Sequence, residues 1–465
     1  MADCILHMSN IYGNLSRYDD MLNTGKKTLL LYEKIKERKG AARSLRNIGF
    51  VHDNLGNYKK ALEYYNRSLH IQEEIGDRDG EAHSLNDIGV TQTRLGNHKE
   101  ALQYYKSSLK IRKETNNRLG ESIDLNNIGY VQSSLGNYKE ALQYFTRSRR
   151  ISGEIGGRDD ELHSLSNIGY VQGSLGNYKE ALHYFTRSLK ISEEISDRKG
   201  EAINLINIGY VQSSLGNYKK ALQCYNRTLK IQEDIGDRKN EAYCLSNMGV
   251  IQGKLGNHKE ALQYYNRALK VQEEIGDRKG VAFSLNNIGM LQIEIERFKT
   301  ASKYLNRALR LAEELGEKEV LRRVHISRAE LCLQTKEYDE TKHHLKSAFT
   351  LADELGFKQG KGEALLILAR LRSLKDKIDK DVFEECISIF EQSNNPFALA
   401  KAYYYYAEAL LACSSKPAAD SKGKKEKRKA ERYLKKAEEI YKKMSAQLWL
   451  YKTGELWQIF TSSED

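Results

Sequence analysis

The chain has 465 residues, 40% hydrophobic and 30% charged, with a net charge of +12 at neutral pH; no apolar run approaches the roughly 20 residues that span a bilayer. The start, Met1-Ala2-Asp3-Cys4, lacks the basic and apolar regions of a secretion signal, so a cytoplasmic setting is expected. Only two prolines occur, Pro396 and Pro417, and six scattered cysteines form no C-x-x-C pair, which favours an all-helical chain and speaks against a zinc site or a disulfide framework.

Taken in order, the chain repeats itself. The stretch from Asn127 to Phe145 returns forty residues later, from Asn167 to Phe185, with only Gly173 for Ser133 and His183 for Gln143. A fixed period of about 20 to 50 residues marks stacked units, none of which can bury its apolar face alone. Registered on one glycine, the phase runs Gly49, Gly89, Gly129, Gly169, Gly209, Gly249 and Gly289. A degenerate unit precedes these, where Leu15 and Tyr18 align with Leu55 and Tyr58.

Each unit reads as two helices. Leu85, Ile88, Gly89 and Gln92 fall at helical spacing, and Ala101, Tyr105, Ser108 and Leu109 do so again. Between them Gly96 suits a left-handed helix end, and Asn97 with Glu100 three residues on forms a capping-box pattern. Between units, Gly76 suits a helix C-terminus and Asp77 an N-cap. Glycine inside a helix costs about 1 kcal/mol relative to alanine, so Gly89 needs a reason, and close approach of the paired helix at Ala101 supplies one. Gly129, Leu135, Gly136 and Ala141 read as the residues that build the stack.

Past Arg297 the pattern weakens but keeps phase through Ala301, Tyr304, Ala308 and Gly316, then Ala329, Tyr338, Ala348 and Gly356. The expected organisation is a regular array of about nine units over 1–360 and divergent helices over 361–413. A basic, exposed, flexible insertion is expected over 414–429, and a C-terminal helix pair or cap over 430–465. Asn395-Pro396 reads as an N-cap and first helical position. The last segment, with Leu448, Trp449, Leu456, Trp457 and Phe460, is expected to lay an apolar face over the final unit.

The recurring Leu85, Ile88-Gly89, Leu95-Gly96-Asn97, Ala101, Tyr105 and Ser108 resemble the tetratricopeptide repeat. The forty-residue unit is similar to the variant in Pins/LGN-type adaptors and prokaryotic signalling regulators. The chain departs from the family pattern where tryptophan would stand at Leu85, tyrosine at Gln92 and a proline at the end of the second helix. The resemblance implies an all-α fold, a right-handed superhelical α-solenoid of stacked antiparallel helix pairs closed by a C-terminal capping helix. It also implies a concave groove lined by the first helix of each unit.

In that groove the resemblance places Asn47, Asp87, Asn127, Asn167, Asn207, Asn247 and Asn287, with Phe50, Tyr130, Tyr170 and Tyr210 beside them. An asparagine amide both donates and accepts, so a row of them suits the backbone of a peptide, while tyrosines add broad contact at low entropic loss. At a helix spacing of about 10 Å, seven rungs would meet on the order of 20 extended residues. The recurring Gln92, Gln132, Gln172, Gln212 and Gln252 read as bonds between helices. Asn126, Ser166, Ile206 and Ser246 take a lining position where other family members use basic residues for a terminal carboxylate, so that partner class is not expected.

The second helices mix Lys139, Arg147 and Arg150 with Glu140 and Glu154, as a solvated face does. Residues 416–443 carry 12 Lys or Arg against 5 Asp or Glu, yet the aromatic interleaving that stacks bases does not appear within Lys422 to Lys429. No catalytic constellation, cofactor motif or metal-ligand spacing appears: His343-His344 lacks an H-E-x-x-H partner, and Gly25-Lys26 and Gly360-Lys361-Gly362 lack the spacing of a phosphate-binding loop.

The reading that follows is a non-enzymatic scaffold holding an extended or partly helical segment of a protein partner. The alternative is a regulatory, sensory or oligomerisation region of a larger signalling protein, which leaves self-association open. RNA binding, raised by a pI near 9.1, stands third, and no membrane insertion is expected.

Overall fold

A computed structural model describes residues 18–374, 378–414 and 421–462, and over them the chain forms 22 helices and no strand. These are α1 Tyr18–Lys34, α2 Arg38–Asn54, α3 Tyr58–Ile75, α4 Arg78–Arg94, α5 His98–Glu114, α6 Arg118–Ser134, α7 Tyr138–Ile155 and α8 Arg158–Ser174. There follow α9 Tyr178–Glu194, α10 Arg198–Ser214, α11 Tyr218–Ile235, α12 Arg238–Leu255, α13 His258–Glu274, α14 Arg278–Glu294, α15 Phe298–Leu315 and α16 Lys318–Gln334. The chain ends with α17 Tyr338–Glu354, α18 Lys358–Ser373, α19 Lys380–Gln392, α20 Pro396–Ser414, α21 Ser421–Met444 and α22 Gln447–Ser462. From α2 to α21 the even-numbered helices are the first of each pair and the odd-numbered the second; Leu15 of the degenerate unit lies outside the described residues.

The turns follow from local chemistry. Between units, Asp197 and Asp277 each accept a hydrogen bond from the backbone N–H three residues on, at 2.9 Å, and Asn117 does so at 2.8 Å. Within units, Gly56, Gly96 and Gly136 take φ of +77° to +81°, the left-handed conformation that ends a helix.

The capping box is not formed. Asn97 and Asn137 make no side-chain cap bond. Each donates instead from Nδ2 to the glutamine five residues earlier, Gln92 or Gln132, at 2.8 Å, and Asn217–Gln212 and Asn257–Gln252 repeat this. The recurring glutamines thus latch the turn between paired helices.

The helix-interior glycines answer to an aromatic ring rather than to the small alanine expected. A Cβ on Gly89 would lie 2.7 Å from Tyr105, and one on Gly129 would lie 2.8 Å from Phe145. The same contact joins Gly49 to Tyr65 and Gly169 to Phe185. Ala61, Ala101 and Ala141 are buried beside these rings. Ser68, Ser108, Ser148 and Ser188 then donate to backbone carbonyls of the paired first helix at 2.9–3.0 Å. Leu135 does not build the stack: it closes α6 at the turn and is 43% exposed.

The chain divides into two compact units, one up to Leu175 with His183–Ser196, the other Gly176–Leu182 with everything from Asp197 on. In the first unit the core is a file of small clusters, such as Ala101, Tyr105, Leu125, Ile128 and Val131. In the second, one cluster joins Tyr218, Tyr225, Met248 and Ile251 to Phe390, Tyr406, Tyr441, Trp449 and Phe460.

The C-terminal helices therefore do more than cap the last pair. Asn394 donates to the Gly176 carbonyl at 3.1 Å, Met444 covers Gly216 and Leu448 covers Gly256. Within the second unit the loops of α19–α22 thus seat on turns of much earlier pairs.

Of the insertion expected over 414–429, residues 421–429 are helical, within α21; residues 415–420 lie outside the described residues. Lys429 is held by Glu384 at 2.9 Å and Lys427 lies over Phe460 at 4.9 Å, so packing overrides the charge run. α21 pairs with α20, leaving α22 as the extra closing helix.

Two outcomes are expected. In the first unit, Asp124 is buried, accepts from Asn86 at 2.6 Å and lies 2.6 Å from the Ser108 hydroxyl, while burial pushes its carboxyl up to about 6. A raised carboxyl favours the protonated fold, so this contribution is complete below the unfolded value of 3.8 and is lost as pH rises through about 6. Asp124→Asn, which copies buried Asn204 at the equivalent position, should stabilise on the order of 2 kcal/mol at pH 8 and little at pH 4, measured by denaturant unfolding at both. Gly129→Ala should destabilise by about 1–3 kcal/mol through overpacking against Phe145, despite alanine's better helix propensity, read as a lowered urea midpoint.

Candidate functional site on the first helices

A first helix inside the stack packs against its partner and against neighbouring first helices, so little of its circumference stays open. In α6 the open stripe is Leu119, Ile123, Asn127, Tyr130 and Ser134, at spacings of three and four. In α8 it is His163, Asn167, Tyr170 and Ser174. Tyr130 is 54%, Tyr170 59%, Tyr210 51% and Phe50 43% exposed. These are large rings left on the one stripe that the architecture does not use.

The ladder residues are all half-buried, and they differ in what holds them. In the first unit Asp87 is paired with Arg46 at 2.7 Å, and Asn167 donates to Asn126 at 3.1 Å. Both are partly committed to a neighbouring first helix. Burial raises the Asp87 carboxyl and Arg46 opposes it. Asn47 is also engaged within the protein. Asn127 has no hydrogen-bond partner among the described residues, which leaves its amide open beside Tyr130. In the second unit Asn247 donates to the Tyr243 carbonyl at 3.0 Å, while Asn207 and Asn287 have no such partner among the described residues.

Asn126 and Ile206 do not line the open stripe. They sit between first helices, where Asn126 accepts from Asn167 and Ile206 is buried. A second column escaped the sequence reading: Ile123, Ile203 and Tyr243 are exposed one turn before the ladder. The signal was present, since a residue four before each asparagine shares its helical face.

The second unit has a further inward-facing group. Glu330 on α16 and Arg370 on α18 pair at 2.6 Å, and the guanidinium lies 4.0 Å from the Tyr405 ring centroid. Burial alone would raise the Glu330 carboxyl; Arg370, with help from Lys401 and Gln334, more than reverses this and holds it near 2. Nearby stand Lys254, Glu294 and Lys401. Lys254 occupies the register position of Ser134, Ser174 and Ser214, a departure the sequence displays.

Outside the stripe, the charges are paired along the stack. Arg118 bonds Glu121 at 2.8 Å and Glu154 at 2.7 Å, and Arg158 bonds Glu161 and Glu194 in the same way. Cys244, Cys332 and Cys386 are buried. Among the described residues no helix is long and apolar enough to cross a membrane, and no three His, Cys, Asp or Glu gather as a metal site.

A family model described as tetratricopeptide repeat matches six stretches, most of them overlapping: residues 2–74, 40–114, 121–194, 163–234, 200–274 and 241–314. Among solved structures, the chain is similar to a Rap protein complexed with Competence and Sporulation Factor. The identity is 14% and the TM-score 0.54, over 76% of this chain and 98% of that one. It is also similar to a signal transduction ATPase with numerous domains and a tetratricopeptide repeat sensor, from Pyrococcus horikoshii. There the identity is 15% and the TM-score 0.53, over 72% of this chain and 53% of that one, so this chain spans about half that protein's length. No curated protein matches.

Arg370→Met should destabilise the chain by about 3 kcal/mol at pH 7, because it leaves the Glu330 carboxylate buried without its partner. A depressed carboxyl stabilises above its unfolded value and loses that contribution as pH falls through the folded one. The deficit relative to wild type should therefore shrink between pH 4.5 and about 2, read from guanidinium unfolding at pH 7 and pH 3.

Proposed function

Because the chain belongs to the tetratricopeptide repeat family, we propose that it is a non-enzymatic interaction scaffold holding a peptide segment of a partner protein against the open stripe of its first helices. The observation that carries this is the pairing, in the first unit, of an unengaged amide at Asn127 with exposed rings at Tyr130 and Tyr170. Burying each ring would stabilise a complex by about 1.5–3 kcal/mol before ordering losses. Asn127 then supplies a donor and an acceptor for peptide backbone. Ile123 extends the apolar contact by one turn. The likeness to a fold solved in complex with Competence and Sporulation Factor supports a reading in which the stack holds a partner.

A second reading, a sensory region of a larger signalling protein, is supported by the likeness to a chain whose repeats are described as a sensor. It differs in what binding achieves rather than in where it occurs.

Selection of a displayed random twelve-residue peptide library on the full chain should enrich a consensus with apolar positions. That binding should fall at least tenfold in Tyr130→Ala with Tyr170→Ala, and several-fold in Asn127→Ala, with helicity by circular dichroism unchanged. Enrichment that is indifferent to all three substitutions would place the ligand elsewhere and overturn the proposal.

A further inference from the structure

Three lysines of the second unit gather on one pair of rings. Phe397 and Trp449 meet edge to face with centroids 6.3 Å apart. The ammonium of Lys401 lies 4.8 Å from the Trp449 centroid, that of Lys452 5.1 Å from the same ring, and that of Lys254 5.3 Å from Phe397. The lysines come from α20, α22 and α12, which are far apart in sequence and brought together by the closing of this unit. All three are half-buried.

None of the three has a carboxylate within ion-pair distance among the described residues. Glu330 is already bound by Arg370 at 2.6 Å. The other carboxyls acting on the group are Glu294 and Glu408; burial raises both, opposed by Lys401 at Glu294 and by Arg370 and Lys452 at Glu408. Burial likewise lowers Lys254 to about 8, with Lys401 adding repulsion, and lowers Lys401. A cation over a ring gains about 0.5–2 kcal/mol. That accounts for each lysine singly, but not for three like charges on one aromatic pair with no carboxylate within ion-pair distance, an arrangement that leaves the ammonium donors without a charged hydrogen-bond acceptor. Ordinary packing would be served better by methionine at any of the three positions.

We propose that Lys254, Lys401 and Lys452 form a binding site for a small polyvalent oxyanion, a phosphate or a polycarboxylate, inside the second unit. The ligand's oxygens take charge-assisted hydrogen bonds from the three ammonium groups, and Phe397 and Trp449 hold those groups in place from behind. The inference stands on a different group of residues from the peptide stripe and does not depend on it.

The test is isothermal titration calorimetry of the full chain at pH 7 with inorganic phosphate and, separately, with citrate, at ionic strength matched with sodium chloride. Saturable binding at one site per chain is expected for at least one of them, and the better ligand identifies the class. Lys401→Met should weaken it at least tenfold and Lys254→Met at least fivefold, while each variant melts at or above wild type in the absence of the anion. The second variant keeps the test intact if the first fails to fold. No saturable heat with either anion, or equal affinity in a folded variant, overturns the site.

Discussion

The stack rests on one contact, an aromatic ring of the second helix pressed onto a glycine of the first. Gly49 with Tyr65, Gly89 with Tyr105, Gly129 with Phe145 and Gly169 with Phe185 leave no room for even a methyl group. Each glycine sacrifices about 1 kcal/mol of helix propensity. Truncating a buried aromatic in a core loses about 3–5 kcal/mol, so the ring wins wherever the two compete. With the rings seated, the serines of the second helices come within bonding distance of the first-helix carbonyls, and the distance between paired helices is set twice over.

That close pairing decides where function can reside. A first helix that gives one side to its partner and two to its neighbours keeps a single stripe, and the chain fills that stripe with rings and amides in the first unit. In the second unit Asn207 and Tyr210 continue it, but further along corresponding positions carry Lys254, Glu330 and Arg370, and the inward face becomes charged. One architecture thus presents two chemistries, by substitution at register positions the fold does not need.

The period, the helix pairs and the left-handed glycines were legible in the sequence because each is a local property repeated in phase. The choice of Tyr105 over Ala101 as the neighbour of Gly89 was not, since both lie on the same helical face and only packing separates them. The Asn97 side chain had two partners of equal chemical merit, the N3 amide and Gln92, and spacing alone cannot rank them. The open stripe was half legible: Asn127 and Tyr130 follow from the resemblance, whereas Ile123 required burial to be known. The seating of Leu448 on Gly256 and of Asn394 on Gly176 had no local signal, because such contacts depend on how many units intervene.

That last dependence bears on copy number. Gly56, Gly96 and Gly136 have nothing within 4 Å of where a side chain would begin, whereas Gly176, Gly216 and Gly256 are met by Asn394, Met444 and Leu448. A duplication or loss of one forty-residue unit among the bare turns moves no such contact. The same event between Gly256 and Leu448 would shift every closing contact by a full unit and separate the helices that bring Lys254 to Trp449. The open part of the array is free to vary in length, and the closed part has its count fixed by its own far end.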